Sequence, residues 1–264
     1  MINKDVVTNE YSLLFGDCLE RMKEIPDGSV DLVLTDPPYG TTACKWDSVI
    51  PFEPMWVELK RITKSNSAIL LFGSEPFSSK IRMSNLDMYR YDWTWCKSRA
   101  SGFAHAKNMP LKNIENIMVF SNGVVGHKSQ CKNRLEYFPQ GLIYSPKVMK
   151  NTKVRSGDES AFGKRPSHKD EYIQEWTNYP TQVLNFESVT KAVHPTQKPV
   201  ALLEYLIKTY TNECETVLDF TFGSCSTGVA CLNTNRNFIG VEMDDKYFDI
   251  GVNRVRESAI KGEK

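Results

Sequence analysis

The chain has 264 residues, 41% of them hydrophobic and 25% charged, with a formal net charge of +1. That is enough to bury one substantial core with a smaller inserted lobe, as in an ordinary globular protein. It shows no run of 18 apolar residues and no apolar stretch behind MINKDVVTNE, which argues against membrane insertion and export and makes the cytoplasm the expected location.

Taken in order, YSLLF (11–15) has the pattern of a strand, CLERMKEI (18–25) of a helix, VDLVLTD (30–36) of a strand, EPMWVELKRI (53–62) of a helix, SAILLFG (67–73) of a strand and SSKIRMSN (78–85) of a helix. YDWTWCK (91–97) and ENIMVFS (115–121) follow as two strands with no convincing helix between them, which predicts an antiparallel pair on the C-terminal side of this half. From about Asn122 to Val193 periodicity fails and Gly, Pro, Ser, Asn and Lys dominate. A stretch this long reads as an insertion, a mobile binding lobe or both. Regularity returns with VALLEYLIKTY (200–210, helix), TVLDF (216–220, strand), STGVACLNTN (226–235, helix), NFIGVEM (237–243, strand) and an amphipathic terminal helix, DKYFDIGVNRVRESA (245–259). The seven cysteines form an odd set without a C-x-x-C pair, which argues for reduced thiols over a disulfide framework or a zinc site.

The near-zero net charge hides an asymmetry. Between Ser121 and Lys169 there are ten Lys/Arg against three acids, a local excess of +7, while the remainder is −6. Lys128, Lys132, Arg134, Lys164 and Arg165, interleaved with Tyr137, Phe138 and Tyr144, suit a phosphate-facing surface. A solvated loop region whose charge serves solubility has the same composition.

Strand–helix alternation predicts an α/β fold: a Rossmann-like, doubly wound, mostly parallel sheet with helices on both faces. Such sheets bind ligands beyond the carboxyl ends of their strands. Two motifs lie at such ends. DFTFGSCSTG (219–228) ends a strand on an acid, continues in small residues and opens a helix, which suits close approach of a ligand to backbone N–H groups. Glu242 closes the next strand 23 residues past Asp219, where an acid can accept both hydroxyls of a ribose. TDPPYG (35–40) supplies a carboxylate at Asp36, rigid carbonyls at Pro37 and Pro38 with no competing N–H, and a flat ring at Tyr39. Acceptors beside an aromatic plane suit the exocyclic amino group of a planar base, whose nitrogen must pyramidalise and shed a proton to be methylated. A Pro-Pro turn capping a core strand is the plainer alternative.

TDPPYG, HPTQKP (194–199) and VLDFTFGSCSTGVA (217–230) together resemble the amino-group DNA methyltransferases that use S-adenosylmethionine. The catalytic motif precedes the cofactor loop, which is similar to the β-class permutation of that family. The resemblance implies a seven-stranded sheet with the first strand beside the last cofactor strand. It implies a catalytic half over residues 1–121, a target-recognition insertion over 122–193 and a cofactor-binding half over 194–264. It also implies base flipping and direct transfer to adenine N6 in double-stranded DNA, with Asp36 and the Pro37 carbonyl on the amino group and Tyr39, aided by Phe72 or Trp46, stacked on the base. Asp219, Gly223, Ser224 and Thr227 would hold the methionine end, Glu242 the ribose, Asp17 with Cys18 the adenine, and Lys198 would line the amino-acid pocket. Phe220 or Phe222 could face the sulfonium. His194 reads as a stacked or hydrogen-bonded structural residue. The family includes homodimers and enzymes of restriction-modification systems, each paired with a cognate endonuclease, although nothing in this chain requires either.

One position departs from the family pattern. Relatives commonly read D-x-x-x-G-S-G-[ST]-T, and here the second glycine is Cys225, so weak cofactor binding is an expectation. The alternatives are cytosine-N4 methylation, which the aspartate before PPY disfavours, and a catalytically silent DNA-binding homologue.

Overall fold

A computed structural model describes residues 4–42, 44, 47–126, 132–150 and 171–262. The chain falls into two compact units, one comprising Met1–Phe138 with Gln182–Lys264 and the other Pro139–Thr181. Along the chain the elements are β1 (Val6–Val7), β2 (Tyr11–Phe15), α1 (Cys18–Met22), β3 (Val30–Thr35), α2 (Phe52–Ile62), β4 (Thr63–Gly73), α3 (Phe77–Ser84), β5 (Tyr89–Ser101), β6 (Lys112–Phe120), β7 (Ile143–Lys150), β8 (Glu171–Thr177), β9 (Val183–Phe186), α4 (Val200–Tyr210), β10 (Thr216–Asp219), α5 (Ser226–Asn233), β11 (Asn237–Glu242) and α6 (Asp245–Gly262).

The larger unit is built on one sheet in the order β1-β2-β11-β10-β3-β4-β6-β5-β9. Its seven central strands are those the alternation predicts, and β2 pairs parallel with β11 as the family resemblance implies. Only β6 runs against its neighbours β4 and β5 within that set. Two short edge strands were not expected: β1, antiparallel to β2, and β9, parallel to β5. β9 comes from the stretch without periodicity, and Leu135, from the same stretch, is buried in the main core. The smaller unit is an antiparallel pair, β7 with β8, whose side chains are almost all exposed. With neither face buried, no alternation marks these strands in the sequence.

Both faces of the sheet are covered, and the strands show it residue by residue. On β4, Ala68, Leu70 and Phe72 join the cluster formed with Leu202, Leu203, Leu206 and Tyr210 of α4, while Ile69 and Leu71 face Met55, Trp56 and Leu59 of α2 with Phe77 and Ile81 of α3. Burial on alternating sides explains why these strands read as continuous apolar runs. The strand order reverses between β10 and β3, which pair parallel, so helices leaving their carboxyl ends diverge and open a crevice there. α4 is locked to the sheet by Tyr210, which is fully buried. Its hydroxyl accepts from Trp93 Nε1 at 2.6 Å and shares a 2.9 Å bond with the Tyr91 hydroxyl.

Tyr210→Phe therefore leaves a buried indole N–H without an acceptor while keeping the ring, and it should cost about 1–3 kcal/mol of stability. Denaturant unfolding measures this as a lowered midpoint with an unchanged slope.

Candidate active site

Asp219 ends β10, and every oxygen of its carboxylate is engaged. Oδ1 accepts from Thr35 Oγ1 at 2.7 Å and from the Thr221 N–H at 3.2 Å, and Oδ2 accepts from Thr227 Oγ1 at 2.6 Å. Burial nonetheless pushes the group up to about 6, against the pull of those donors. Glu242, at the end of β11, braces the same loop: its carboxylate accepts from the backbone N–H of Gly223 and of Asp244, each at 2.8 Å. At the end of β2, Asp17 caps α1, accepting from the Leu19 N–H at 2.8 Å. Burial raises the adjacent Cys18 thiol to about 12, so it is inert at neutral pH.

Beside this loop, Asp36 follows the last residue of β3. Its carboxylate accepts from the Tyr39 hydroxyl and forms an ion pair with Lys198. Lys198 also lies 3.0 Å from Glu115 Oε1, the single Tyr39 hydroxyl proton is shared between Asp36 and Glu115 Oε1, which lies 2.8 Å from that hydroxyl, and Glu115 Oε2 pairs with Lys97 at 2.5 Å. Two carboxylates and two ammonium groups thus share one buried network without net charge. Burial raises the Asp36 carboxyl above the usual range in spite of Lys198. Burial acts in the same direction on Glu115, but Lys198 and Lys97 overcome it and bring that group to about 2. Lys198 is placed by a tight turn in HPTQKP. His194 Nδ1 accepts from the Thr196 N–H at 3.2 Å, the Gln197 N–H returns to the His194 carbonyl at 3.1 Å, and Pro199 then caps α4. The His194 ring packs edge-on to Tyr247 at 4.2 Å, and burial with the nearby Lys198 lowers it to about 4, so it is neutral.

A cavity of about 500 Å³ opens between these strand ends. Of the candidate residues, Asp17, Cys18, Asp36, Pro38, Lys198, Asp219, Phe220, Gly223, Ser224, Thr227 and Glu242 line it, together with Phe72, Phe222 and His194. Pro37, Tyr39 and Cys225 do not. Tyr39 is stacked on Phe77 at 5.0 Å, and Lys198 lies 5.0 Å above the ring of Phe72. Lys198 reaches the aspartate network as well as the cavity, a coupling that HPTQKP alone does not reveal. Lys132 and Arg134 are exposed at the opposite edge of the sheet. β6 runs antiparallel to β4, so the chain that follows it returns to the start of β4, where Asn133 donates to the Ser65 carbonyl and the Glu136 N–H to that of Asn66. These two cations are thus not brought to the cavity. Trp46, Lys128, Lys164 and Arg165 lie outside the described residues. Glu115, Lys97, Thr35 and Thr221 join the site although sequence reasoning passed over them. The available signal was the acid heading the apolar run ENIMVF, which mirrors Asp36 at the end of VDLVLT.

Cys225 adopts the left-handed conformation, φ 57° and ψ 38°, which glycine occupies without strain. Its side chain is fully buried and points behind the loop: a Cβ added at Gly228 would lie 2.6 Å from its sulfur, and one added at Gly251 3.0 Å from its Cβ.

The DNA methylase family (N6_N4_Mtase) matches residues 30–253. The type II methyltransferase M.HinfI of Haemophilus influenzae is 28% identical over 273 residues, which cover 93% of this chain and 68% of that one. The DNA adenine methyltransferase YhdJ of Escherichia coli K12 is 26% identical over 265 residues, 92% of this chain and 82% of its own. Among solved structures, PvuII DNA methyltransferase, described as cytosine-N4-specific, shares the fold with a TM-score of 0.65 at 15% identity, over 97% of this chain and 93% of that one.

Because the sulfur at position 225 faces away from the cavity, Cys225→Gly exchanges relief of a strained φ, roughly 1–2 kcal/mol, for loss of two buried heavy atoms of about the same worth. Stability should shift by less than about 1 kcal/mol in denaturant titration, and affinity for S-adenosylmethionine should stay within about threefold by calorimetry.

Proposed function

The chain belongs to the N6/N4 DNA methylase family, and as an S-adenosylmethionine-dependent DNA methyltransferase we propose that it methylates the exocyclic N6 of adenine. The observation that carries this reading is Asp36, a half-buried carboxylate at the end of a sheet strand, braced by Tyr39 and Lys198 on the rim of the cavity that Asp219 and Glu242 line. The adenine specificity of YhdJ, which resembles this chain over most of both lengths, supports the choice of base. An aspartate in front of PPY points the same way.

The cavity suits the cofactor. Its volume fits a ligand of that size, its carboxylates suit a molecule bearing ammonium and sulfonium charges, and Phe220 and Phe222 contribute apolar walls. Bound S-adenosylmethionine supplies the methyl group directly and in line, without a covalent enzyme intermediate. Asp219, Gly223, Ser224 and Thr227 hold its amino-acid end in this reading, Glu242 the ribose and Asp17 the adenine. Asp36 accepts a hydrogen bond from the target amino group and takes the proton that nitrogen must lose, a task for which burial makes it more basic than an ordinary carboxylate. Tyr39 and Lys198 fix the carboxylate before the base arrives, so little reorganisation accompanies the transfer. Lys97 and Glu115 complete the charge balance, which keeps Lys198 protonated in a buried site. The base reaches Asp36 only out of the helical stack, as with other enzymes that act on a nucleobase inside duplex DNA.

Incubation with labelled S-adenosylmethionine and unmethylated duplex DNA, followed by nucleoside analysis, should yield N6-methyladenine. N4-methylcytosine would overturn the choice of base, and no label in DNA would overturn the activity. Asp36→Ala should lower turnover about 100-fold or more with cofactor affinity nearly unchanged.

The raised Asp219 carboxyl gives a pH signature. A carboxylate that must be ionised to hold a cation is lost as pH falls through about 6. Cofactor affinity should therefore fall by up to about tenfold per pH unit below that point. Asp219→Asn should bind weakly at pH 8 and lose this dependence, as calorimetric titration across pH can show.

A further inference from the structure

The hairpin of β5 and β6 overhangs the edge of the sheet that carries the cavity. β6 pairs with β4 only as far as Asn116 opposite Gly73, yet it begins four residues earlier at Lys112, and β5 continues to Ser101. β5 runs in the same direction as β4 and β3, so this extension, roughly 13 Å along β6, projects beyond the carboxyl ends where Asp36 and Asp219 lie. At its base, Glu115 and Lys97 belong to the Asp36 network. At its tip, residues 101–110 are all exposed and include a 3₁₀ turn at Phe103–His105.

The chemistry of this overhang is one-sided. Residues 98–114 contain Arg99, Lys107 and Lys112, with His105, and not one Asp or Glu. Among the described residues none of the three cations has a carboxylate within salt-bridge distance, whereas the cations at the hairpin's base and on neighbouring helices do. Beside them Phe103 is 71% exposed and Met109 49%. A protein surface that gathers cations without counter-charges around an exposed ring suits a polyanion with stacked apolar faces. Duplex DNA must also come to this edge if a base is to reach Asp36, and a two-stranded ribbon has the width to enter a major groove.

We propose that the β5–β6 hairpin is a DNA-binding element. Its tip enters a groove of the substrate duplex beside the target base, Arg99, Lys107 and Lys112 contact backbone phosphates, and Phe103 fills the space the flipped base vacates. The identity of the occupant rests on the methyltransferase reading. The hairpin precedes the basic stretch 128–169 in the sequence, and it lies on the edge that Lys132 and Arg134 do not reach. Inserted apolar side chains that occupy an opened base step are a general device for stabilising distorted DNA.

Two variants test the two parts, each checked for unchanged thermal unfolding and S-adenosylmethionine affinity. Arg99→Gln/Lys107→Gln/Lys112→Gln should bind unmethylated plasmid DNA about tenfold or more weakly at moderate salt and reduce the slope of log affinity against log salt by about 2–3 units. An unchanged slope and affinity would overturn the phosphate contacts. Phe103→Ala should methylate a duplex carrying the site mapped with the wild type about tenfold more slowly. It should recover to within about threefold of wild type when the target adenine faces an abasic position, because flipping is then inexpensive. Equal loss on both duplexes, or none on either, would overturn the role of Phe103. A wild-type protein that binds S-adenosylmethionine but neither binds nor methylates DNA would instead overturn the methyltransferase reading, and with it the named occupant.

Discussion

One ammonium group organises the site. Lys198 reaches carboxylates from two different strands, Asp36 just after β3 and Glu115 within β6, and all three groups are largely removed from water. Charges buried this way are tolerated only when each has a partner and the remaining lone pairs are filled, and Tyr39 and Lys97 complete that requirement. Three segments separated by some 80 residues each along the chain are thereby held in register: the end of a parallel strand, the antiparallel strand beyond it, and the turn that opens α4. Deleting any charged member leaves an uncompensated charge, so the network specifies the shape of the site as well as its reactivity.

The chain order matters less than the sheet order. β10 and β11, which come last, fill the gap between β2 and β3, which come first, and every junction among these four is parallel. The cofactor loop and the DPPY segment are therefore neighbours although Thr221 and Asp36 lie 185 residues apart along the chain. The hydroxyl of Thr35 touching Asp219, and that of Thr221 reaching the Asp36 carbonyl, stitch the two motifs across the junction of β3 and β10. A shift of one residue in that pairing would turn both sets of side chains to the wrong face.

Much of this was legible in the residues because parallel strands buried on both faces leave apolar runs, and because acids at their ends are conspicuous. The seven central strands, their helices and the cavity-lining acids Asp36, Asp219 and Glu242 could be read directly, whereas Asp17 followed only from the family resemblance. What escaped depended on long-range pairing. Glu115 and Lys97 look like ordinary strand polar residues until β6 is known to lie beside β4. The β7–β8 pair carries no alternation because neither face is buried. Lys132 and Arg134 looked suited to DNA by charge alone, and only the reversed direction of β6 shows that they emerge at the far edge. Composition reports how much charge a segment carries, whereas topology decides which way it faces.

The left-handed turn at Cys225 shows how a loop can keep its shape after giving up the residue that ordinarily permits it. The conformational licence of a glycine has been replaced by a socket, with Gly228 of α5 leaving room for the sulfur, Gly251 of α6 for its Cβ and the Phe222 ring, and Phe248 packed against Phe222. A Cβ at 228 would lie 2.6 Å from the sulfur, and one at 251 would lie 2.6 Å from the Phe222 ring and 3.0 Å from the Cys225 Cβ, so the cysteine is seated only because both positions carry hydrogen. The rings of Phe238 and Phe222 hold Gly228 and Gly251, respectively, to that size as well. The shape of a loop that opens α5 therefore depends on a glycine of α6, which lies outside the motif by which the loop is recognised.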